Sequence, residues 1–299
     1  MIARARGRRI VRTALAVVFA AALAGCTAQQ PAARLTESPT IGRSTASGAG
    51  AAAVPAFDHV VIVIEENKAG DQVDTAPYLA RLAAQGATFS RFTGETHPSQ
   101  PNYLALWSGS TQGVTSDACP VDLGTAPSLG SQLIDAGRQV AVYAEDLPAA
   151  GDPTCTAGAY ARKHNPLADF SATAGARHDL PFSAFPTDYS NLPAVSLVVP
   201  NLDHDMHDGS IATGDEWLSS HLGAYAAWAK THDSLLVVTF DEDDDTPTNR
   251  IYTTFSGAHV RPGTYSQPVN HVSLLHTVEA SFGLPLLGAT APPITAVWR

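Results

Sequence analysis

Three runs of β-branched and aliphatic residues, His59–Ile64, Val195–Val199 and Ser234–Phe240, each lead directly into acidic and amide side chains. Near-continuous Val, Ile and Leu is the pattern of strands buried on both faces, where neither face needs polar groups. The first run releases Glu65, Glu66 and Asn67. The second releases Asn201, Asp203, Asp205, His207 and Asp208, and the third Asp241, Glu242 and Asp243. In a parallel sheet the C-terminal strand ends share one edge, and ligands bind in the crevice outside it. Carboxylates gathered there repel one another unless a cation neutralises them, so the pattern points to a metal site with oxygen and nitrogen ligands. Two further runs, Gln139–Ala144 and the weaker Ile251–Phe255, alternate with helical stretches. That alternation predicts an α/β fold around a mainly parallel sheet.

The helical stretches have readable ends. Pro77–Gln85 is followed by Gly86 and Leu129–Ala136 by Gly137, and each glycine suits a left-handed C-cap. Thr213 with Glu216 predicts a capping box, opening a helix whose apolar stripe of Trp217, Leu218, Leu222, Tyr225 and Trp228 reads as core. In His97-Pro98-Ser99-Gln100-Pro101-Asn102-Tyr103 the spacing predicts Ser99 as an N-cap, with Pro101 in the first turn. A hydroxyl there lies where free backbone N–H groups and the helix dipole favour an anion. A neighbouring cation would lower its pKa and make it a nucleophile. Taken alone, the motif reads as a plain helix cap.

The 299 residues suit one catalytic domain, over 57–299. Ahead of it, Arg4, Arg6, Arg8, Arg9 and Arg12 precede the apolar stretch Thr13–Ala24, the pattern of a signal peptide over residues 1–25. Leu23-Ala24-Gly25-Cys26 resembles the bacterial lipobox, which implies lipidation of Cys26 and an exported, outward-facing membrane lipoprotein. The alternative is an ordinary secreted protein. Residues 26–56 are rich in Ala, Gly, Ser, Thr and Pro and read as a flexible tether. The leader holds five of the 18 basic residues and none of the 28 acidic ones, so the remainder carries a formal charge of −15. Such a chain repels nucleic acid and anionic membranes, which leaves the lipid anchor as its membrane contact. An anionic substrate would need positive charge from something other than Lys and Arg, with bound metal the candidate. Export also places Cys119 and Cys155 in an oxidising compartment, where a disulfide between them is expected. A metal site and two free buried thiols are the competing readings.

Several motifs, in order, resemble one family. Ser99-Gln100-Pro101-Asn102-Tyr103 with Ser108-Gly109 resembles the nucleophile motif of the alkaline phosphatase superfamily. With Glu66-Asn67, His97-Pro98, Pro200-Asn201-Leu202-Asp203-His204-Asp205-Met206-His207-Asp208, Thr239-Phe240-Asp241-Glu242 and Asn270-His271-Val272-Ser273, the chain resembles the phosphoesterase family of acid phosphatases and bacterial phospholipases C. The resemblance covers Phe57 to Leu284 and implies an alkaline-phosphatase-like α/β fold, a mainly parallel central sheet with helices on both faces. It further implies metal-dependent hydrolysis of small phosphate monoesters through a phosphoserine at Ser99. Glu66, Asn67, Asp241 and Glu242 would join Ser99 around one divalent metal. Asp203, His207 and His271 would hold a second, with Asp205 and Asp208 as alternatives to Asp203. Asn102 would stabilise the equatorial phosphate oxygens, and His207 or His97 would protonate the leaving group. His97, Asn102, His204 and Asp205 would contact substrate.

The Asp-Glu pair is followed by Asp243-Asp244-Asp245-Thr246-Pro247 rather than by glycines and a longer insert. That difference, and the lack of the phospholipases' large C-terminal extension, favour a compact phosphatase. A phosphodiesterase or phospholipase C using the same residues is the main alternative, and a non-catalytic metal-binding lipoprotein is the other. His59, His164, His178, His221 and His232 have no clustered partners in the sequence and read as surface or packing residues, and His259 reads as a weaker ligand than His271.

Overall fold

The structure is a computed structural model that describes residues 53–299. The expected signal peptide, Cys26 and most of the expected tether lie outside the described residues.

In chain order the strands are β1 His59–Glu65, β2 Ala87–Phe89, β3 Phe92–Thr93, β4 Val140–Ala144, β5 Thr156–Ala157, β6 Tyr160–Ala161, β7 Asp179–Pro181, β8 Val195–Val199, β9 Ser234–Phe240, β10 Thr253–Gly257, β11 Gly263–Tyr265 and β12 Val269–Asn270. The helices are α1 Gly70–Val73, α2 Pro77–Gln85, α3 Ser99–Ser108, α4 Leu129–Asp135, α5 Ile211–Ala229 and α6 His271–Phe282. Among the described residues the central sheet has eight strands in the order β11-β2-β10-β9-β1-β8-β4-β7. From β9 through β7 the pairing is parallel, and β10 runs antiparallel to both β9 and β2. This is the mainly parallel α/β architecture expected.

Strand β1 lies at the centre, with Ile62 beside Leu197 of β8 on one side and Val237 of β9 on the other. Its Val60, Val61, Ile62, Val63 and Ile64 are all buried. Burial on this scale contributes roughly 1.5–3 kcal/mol per large side chain, enough to anchor a strand whose last residue is an acid. Helices α2 and α5 pack on each other and on β10, and α3 packs on α6. Cys119 and Cys155 form the expected disulfide, 36 positions apart in sequence and with Cα atoms 5.8 Å apart.

Local details differ from the sequence reading. Gly137 has the left-handed backbone expected, with φ 70°. Gly86 is extended instead, because β2 begins at the next residue and the chain passes so close to β10 that an added Cβ would lie 2.3 Å from the Phe255 carbonyl oxygen. Helix α5 starts three residues earlier than Thr213 suggested, capped by Ser210, whose hydroxyl accepts the Thr213 N–H at 3.1 Å. Ser99 is the first helical residue rather than the cap, which falls on Pro98. The expected strand Ile251–Phe255 moves to Thr253–Gly257, since Ile251 instead bridges to Ala69.

Candidate active site

The parallel register brings three acidic strand ends together, and backbone hydrogen bonds tie them. The Glu66 N–H donates to the Asp205 carbonyl at 2.7 Å and the Asp241 N–H to the Glu65 carbonyl at 3.0 Å. Over this edge stands the N-terminus of α3. The Ser99 hydroxyl donates to Glu66 Oε2 at 3.0 Å and lies 3.2 Å from Glu242 Oε1. Tyr103, four residues along the same helix face, donates its hydroxyl to the other Glu66 oxygen. Asn67, in the left-handed region at φ 53°, donates its backbone N–H to Asp241 Oδ1 at 3.1 Å. Glu66, Asn67, Ser99, Asp241 and Glu242, far apart in sequence, therefore meet.

This gathering is electrostatically costly as it stands. Burial, reinforced by Asp241 and Asp205, holds the Glu66 carboxyl well above the usual carboxylate range. Burial and then Glu242 push Asp241 up to about 7. Two buried oxygens in the cluster, Asn67 Oδ1 and Asp241 Oδ2, have no hydrogen-bond partner. Buried acceptors without donors are rare, and a cation relieves both the orphaned oxygens and the repulsion between carboxylates. The residues present fit a divalent metal.

A second wall of the crevice comes from a segment the sequence reading passed over. His164 ends the short 3-10 turn Arg162–His164 and is 1% exposed. Its ring stacks on Tyr103 with centroids 5.2 Å apart. Nε2 lies 3.2 Å from Glu66 Oε1 and Nδ1 3.2 Å from Asp205 Oδ2. One donor atom from each of Glu66, His164 and Asp205 lies within 4.8 Å of the others, a grouping able to hold a metal. Burial, with help from Lys163 and His207, drops the His164 pKa well below its ordinary value, which keeps the ring neutral as a metal ligand must be. His164 packs on Tyr103 as expected of a packing residue, but it also has the clustered acidic partners that its sequence neighbourhood does not show. No strand run and no acidic neighbour marks Lys163-His164-Asn165-Pro166 in sequence, so periodicity could not find it.

Other expected site residues are placed differently. Asp203 is exposed, its N–H capping Asn201 Oδ1 at 3.1 Å. The turn after β8 instead sends Asp205 inward, where Oδ1 accepts the His207 N–H at 2.8 Å. His207 is partly exposed, paired through Nδ1 with Asp208 at 2.7 Å, and its ring centroid lies 6.0 Å from that of His164. His204 belongs to the acid after β4, with Nδ1 2.9 Å from Glu145 Oε2.

His271 is buried against the β9 end, Nε2 2.9 Å from the Phe240 carbonyl oxygen and the ring edge-on to Phe92. Burial lowers its pKa to about 4, and it is not part of the Glu66–His164–Asp205 group. Asn102 does not face the crevice as an oxyanion donor. Its Oδ1 accepts the N–H groups of Glu95 and Thr96, and its Nδ2 donates to the carbonyls of Thr96 and Pro98. The side chain is consumed in shaping the loop before Ser99. His97 does reach the site, with Nδ1 2.6 Å from Glu242 Oε2 and Nε2 3.2 Å from the Thr246 carbonyl oxygen. Burial disfavours its charged form, but those two partners outweigh burial and raise its pKa.

Comparison with known proteins agrees with this geometry. The Phosphoesterase family matches residues 72–285. The chain is 53% identical over 258 residues to a phosphatidylinositol-3-phosphatase of Mycobacterium tuberculosis, covering 84% of this chain and 86% of that protein. It is 32% identical over 254 residues to a phosphate-repressible acid phosphatase of Penicillium chrysogenum, covering 78% of this chain but 61% of the fungal protein's length. Its fold superposes on a Vibrio parahaemolyticus protein of the alkaline phosphatase superfamily with a TM-score of 0.54 at 12% identity, over 78% of this chain and 68% of that one. Matched by family over most of its folded region and built around these clustered acids, the chain belongs to the phosphoesterase family and is a hydrolase of phosphoric esters.

Proposed function

We propose that the chain hydrolyses phosphate monoesters through a transient phosphoserine at Ser99 and depends on a divalent metal. The observation that carries this reading is the Ser99 hydroxyl, 1% exposed at the first residue of α3 and within hydrogen-bond distance of both Glu66 and Glu242. A structural cap has no need of two acids.

Glu66, Asn67, Asp241, Glu242 and Ser99 would hold one cation, and His164 and Asp205, sharing Glu66, would hold a second. When bound, such a cation neutralises the carboxylates and lowers the pKa of the adjacent hydroxyl. Ser99 Oγ attacks phosphorus in line with the ester oxygen, forming the Ser99 O–P bond as the ester P–O bond breaks. The Ser99 proton leaves along its hydrogen bond to Glu242, whose other oxygen is held by His97. His207 supplies the leaving alcohol's proton. Its Nδ1 is tied to Asp208, which fixes the ring and leaves Nε2 to donate. Water then attacks the phosphoserine, regenerating Ser99 and releasing inorganic phosphate.

The name of the mycobacterial relative puts a phosphoinositide monoester among the first substrates to assay. The proposal includes export and anchoring through a lipid on Cys26. Its test is p-nitrophenyl phosphate hydrolysis by chelator-treated protein resupplied with single divalent ions. Activity that survives full chelation would remove the metal from the account.

A further inference from the structure

Building on the reading of Ser99 as nucleophile, we infer that Lys163 is a substrate-binding residue whose ammonium grips a non-bridging oxygen of the phosphoryl group. A monoester phosphate is a dianion, and it must enter a crevice lined by Glu66, Asp205, Asp241 and Glu242. A bound metal would offset those acids, and further positive charge would serve the phosphate itself.

Lys163 is placed to supply it. It sits in the middle of the turn Arg162–His164, and both neighbours are pinned. Arg162 donates to the carbonyls of Pro153, Val121 and Ala168 and to Asp169, while His164 is wedged between Glu66 and Asp205. The Lys163 ammonium is 2.9 Å from Asp117 Oδ2, and Asp117 Oδ1 accepts the N–H of Gln100 at 2.9 Å. One carboxylate therefore separates the ammonium from the amide next to the nucleophile. A phosphoryl group attached to Ser99 Oγ brings its own oxygens into that neighbourhood, at the N-terminus of the ten-residue helix α3. The Lys163 and Asp117 side chains are 19% and 29% exposed, so substrate reaches the ammonium from solvent, unlike buried His164.

Its charge also acts on the crevice, drawing the pKa of Glu66 and Asp205 down against the larger upward push of burial. Two other cations nearby are committed elsewhere. Lys68 donates to the carbonyls of Met206 and Asn67, and Arg162 is turned into its loop.

The test uses the full chain, p-nitrophenyl phosphate as substrate and inorganic phosphate as competitive inhibitor. Losing a charge-assisted contact raises both KM and the phosphate inhibition constant by about tenfold or more in Lys163→Gln and Lys163→Met, with a smaller fall in kcat. Lys163→Arg restores most of the loss. A purely structural pair with Asp117 would instead lower thermal stability and leave phosphate inhibition within about twofold of wild type, and that result would overturn the inference. Should the neutral variants fail to fold, acetylation of wild-type protein followed by mass spectrometry gives the same answer. Inorganic phosphate should protect Lys163, and equal labelling with and without phosphate would refute the assignment. A Ser99→Ala protein that keeps turnover would defeat the phosphoserine reading alone, because KM and phosphate inhibition would still report on Lys163.

Discussion

The two walls of the crevice are built on different principles. One is made where regular elements end: Glu66 and Asn67 after β1, Asp241 and Glu242 after β9, Ser99 at the start of α3. Its geometry follows from strand register and helix packing. The other, with Asp117, Lys163, His164 and Asp205, rests on loops. Those loops are held by a few local ties: the covalent Cys119–Cys155 disulfide, the four acceptors around Arg162, and the stacking of His164 on Tyr103. The first wall is as stable as the sheet. The second can loosen while the sheet survives, so the two should respond differently to substitution.

The largest effect is expected in the regular wall. Ser99→Ala should lower phosphatase turnover by at least about a thousandfold, since it removes the attacking atom, while circular dichroism and metal binding by calorimetry stay near wild type. Asp241→Ala should also abolish turnover but weaken metal binding, and partial rescue by excess divalent ion would separate the two roles.

His164→Ala is the corresponding change in the loop wall. A ligand or supporting group of this kind costs roughly 10- to 100-fold in activity or metal affinity. A titration of activity against metal concentration should shift accordingly, and wild-type activity in this variant would reduce the second wall to packing.

Cutting the disulfide, in Cys119→Ser/Cys155→Ser, should cost about 3–4 kcal/mol in the chain-entropy view for a loop of this length. Phosphate affinity should fall along with it while the far-UV spectrum is kept. Equal loss of sheet and site would erase the contrast between the walls.

The loop wall should also give stability a pH dependence. Asp169, the acid paired with Arg162 in the loop wall, is pushed to about 7 by burial, with Arg162 opposing. Its folded pKa therefore lies above the unfolded value, so the folded state binds more protons between about pH 4 and 7. This contribution is full below pH 4, is lost as pH rises to about 7, and then levels off. The slope cannot exceed about 1.4 kcal/mol per pH unit for one group. Denaturation across pH 4 to 8 should show it, and Asp169→Asn should flatten it.

The same contrast explains what could be read before the fold was known. Val195–Val199 and Ser234–Phe240 match their strands to the residue, because doubly buried strands have an unmistakable composition. The acids after β1 and β9 follow once the strands are parallel. Between Asp203 and Asp205 the choice depended on the turn after Pro200, where Asn201 fixes which acid turns inward, and composition does not encode that. Asn102 carries the right chemistry for an oxyanion donor, yet its hydrogen bonds are spent on the preceding loop. His164 and Lys163 are illegible because a three-residue 3-10 turn is too short to show a period. Their partners, Glu66, Asp205 and Asp117, lie more than forty residues away in sequence.

The most direct test of the central claim is to trap the intermediate. Protein mixed with p-nitrophenyl phosphate is quenched in acid during turnover, digested and sequenced by mass spectrometry. The account predicts a single phosphorylated residue, Ser99, that disappears as substrate runs out and is absent from Ser99→Ala. Phosphate found on a histidine, or turnover with no label at Ser99 at any quench time, would contradict it.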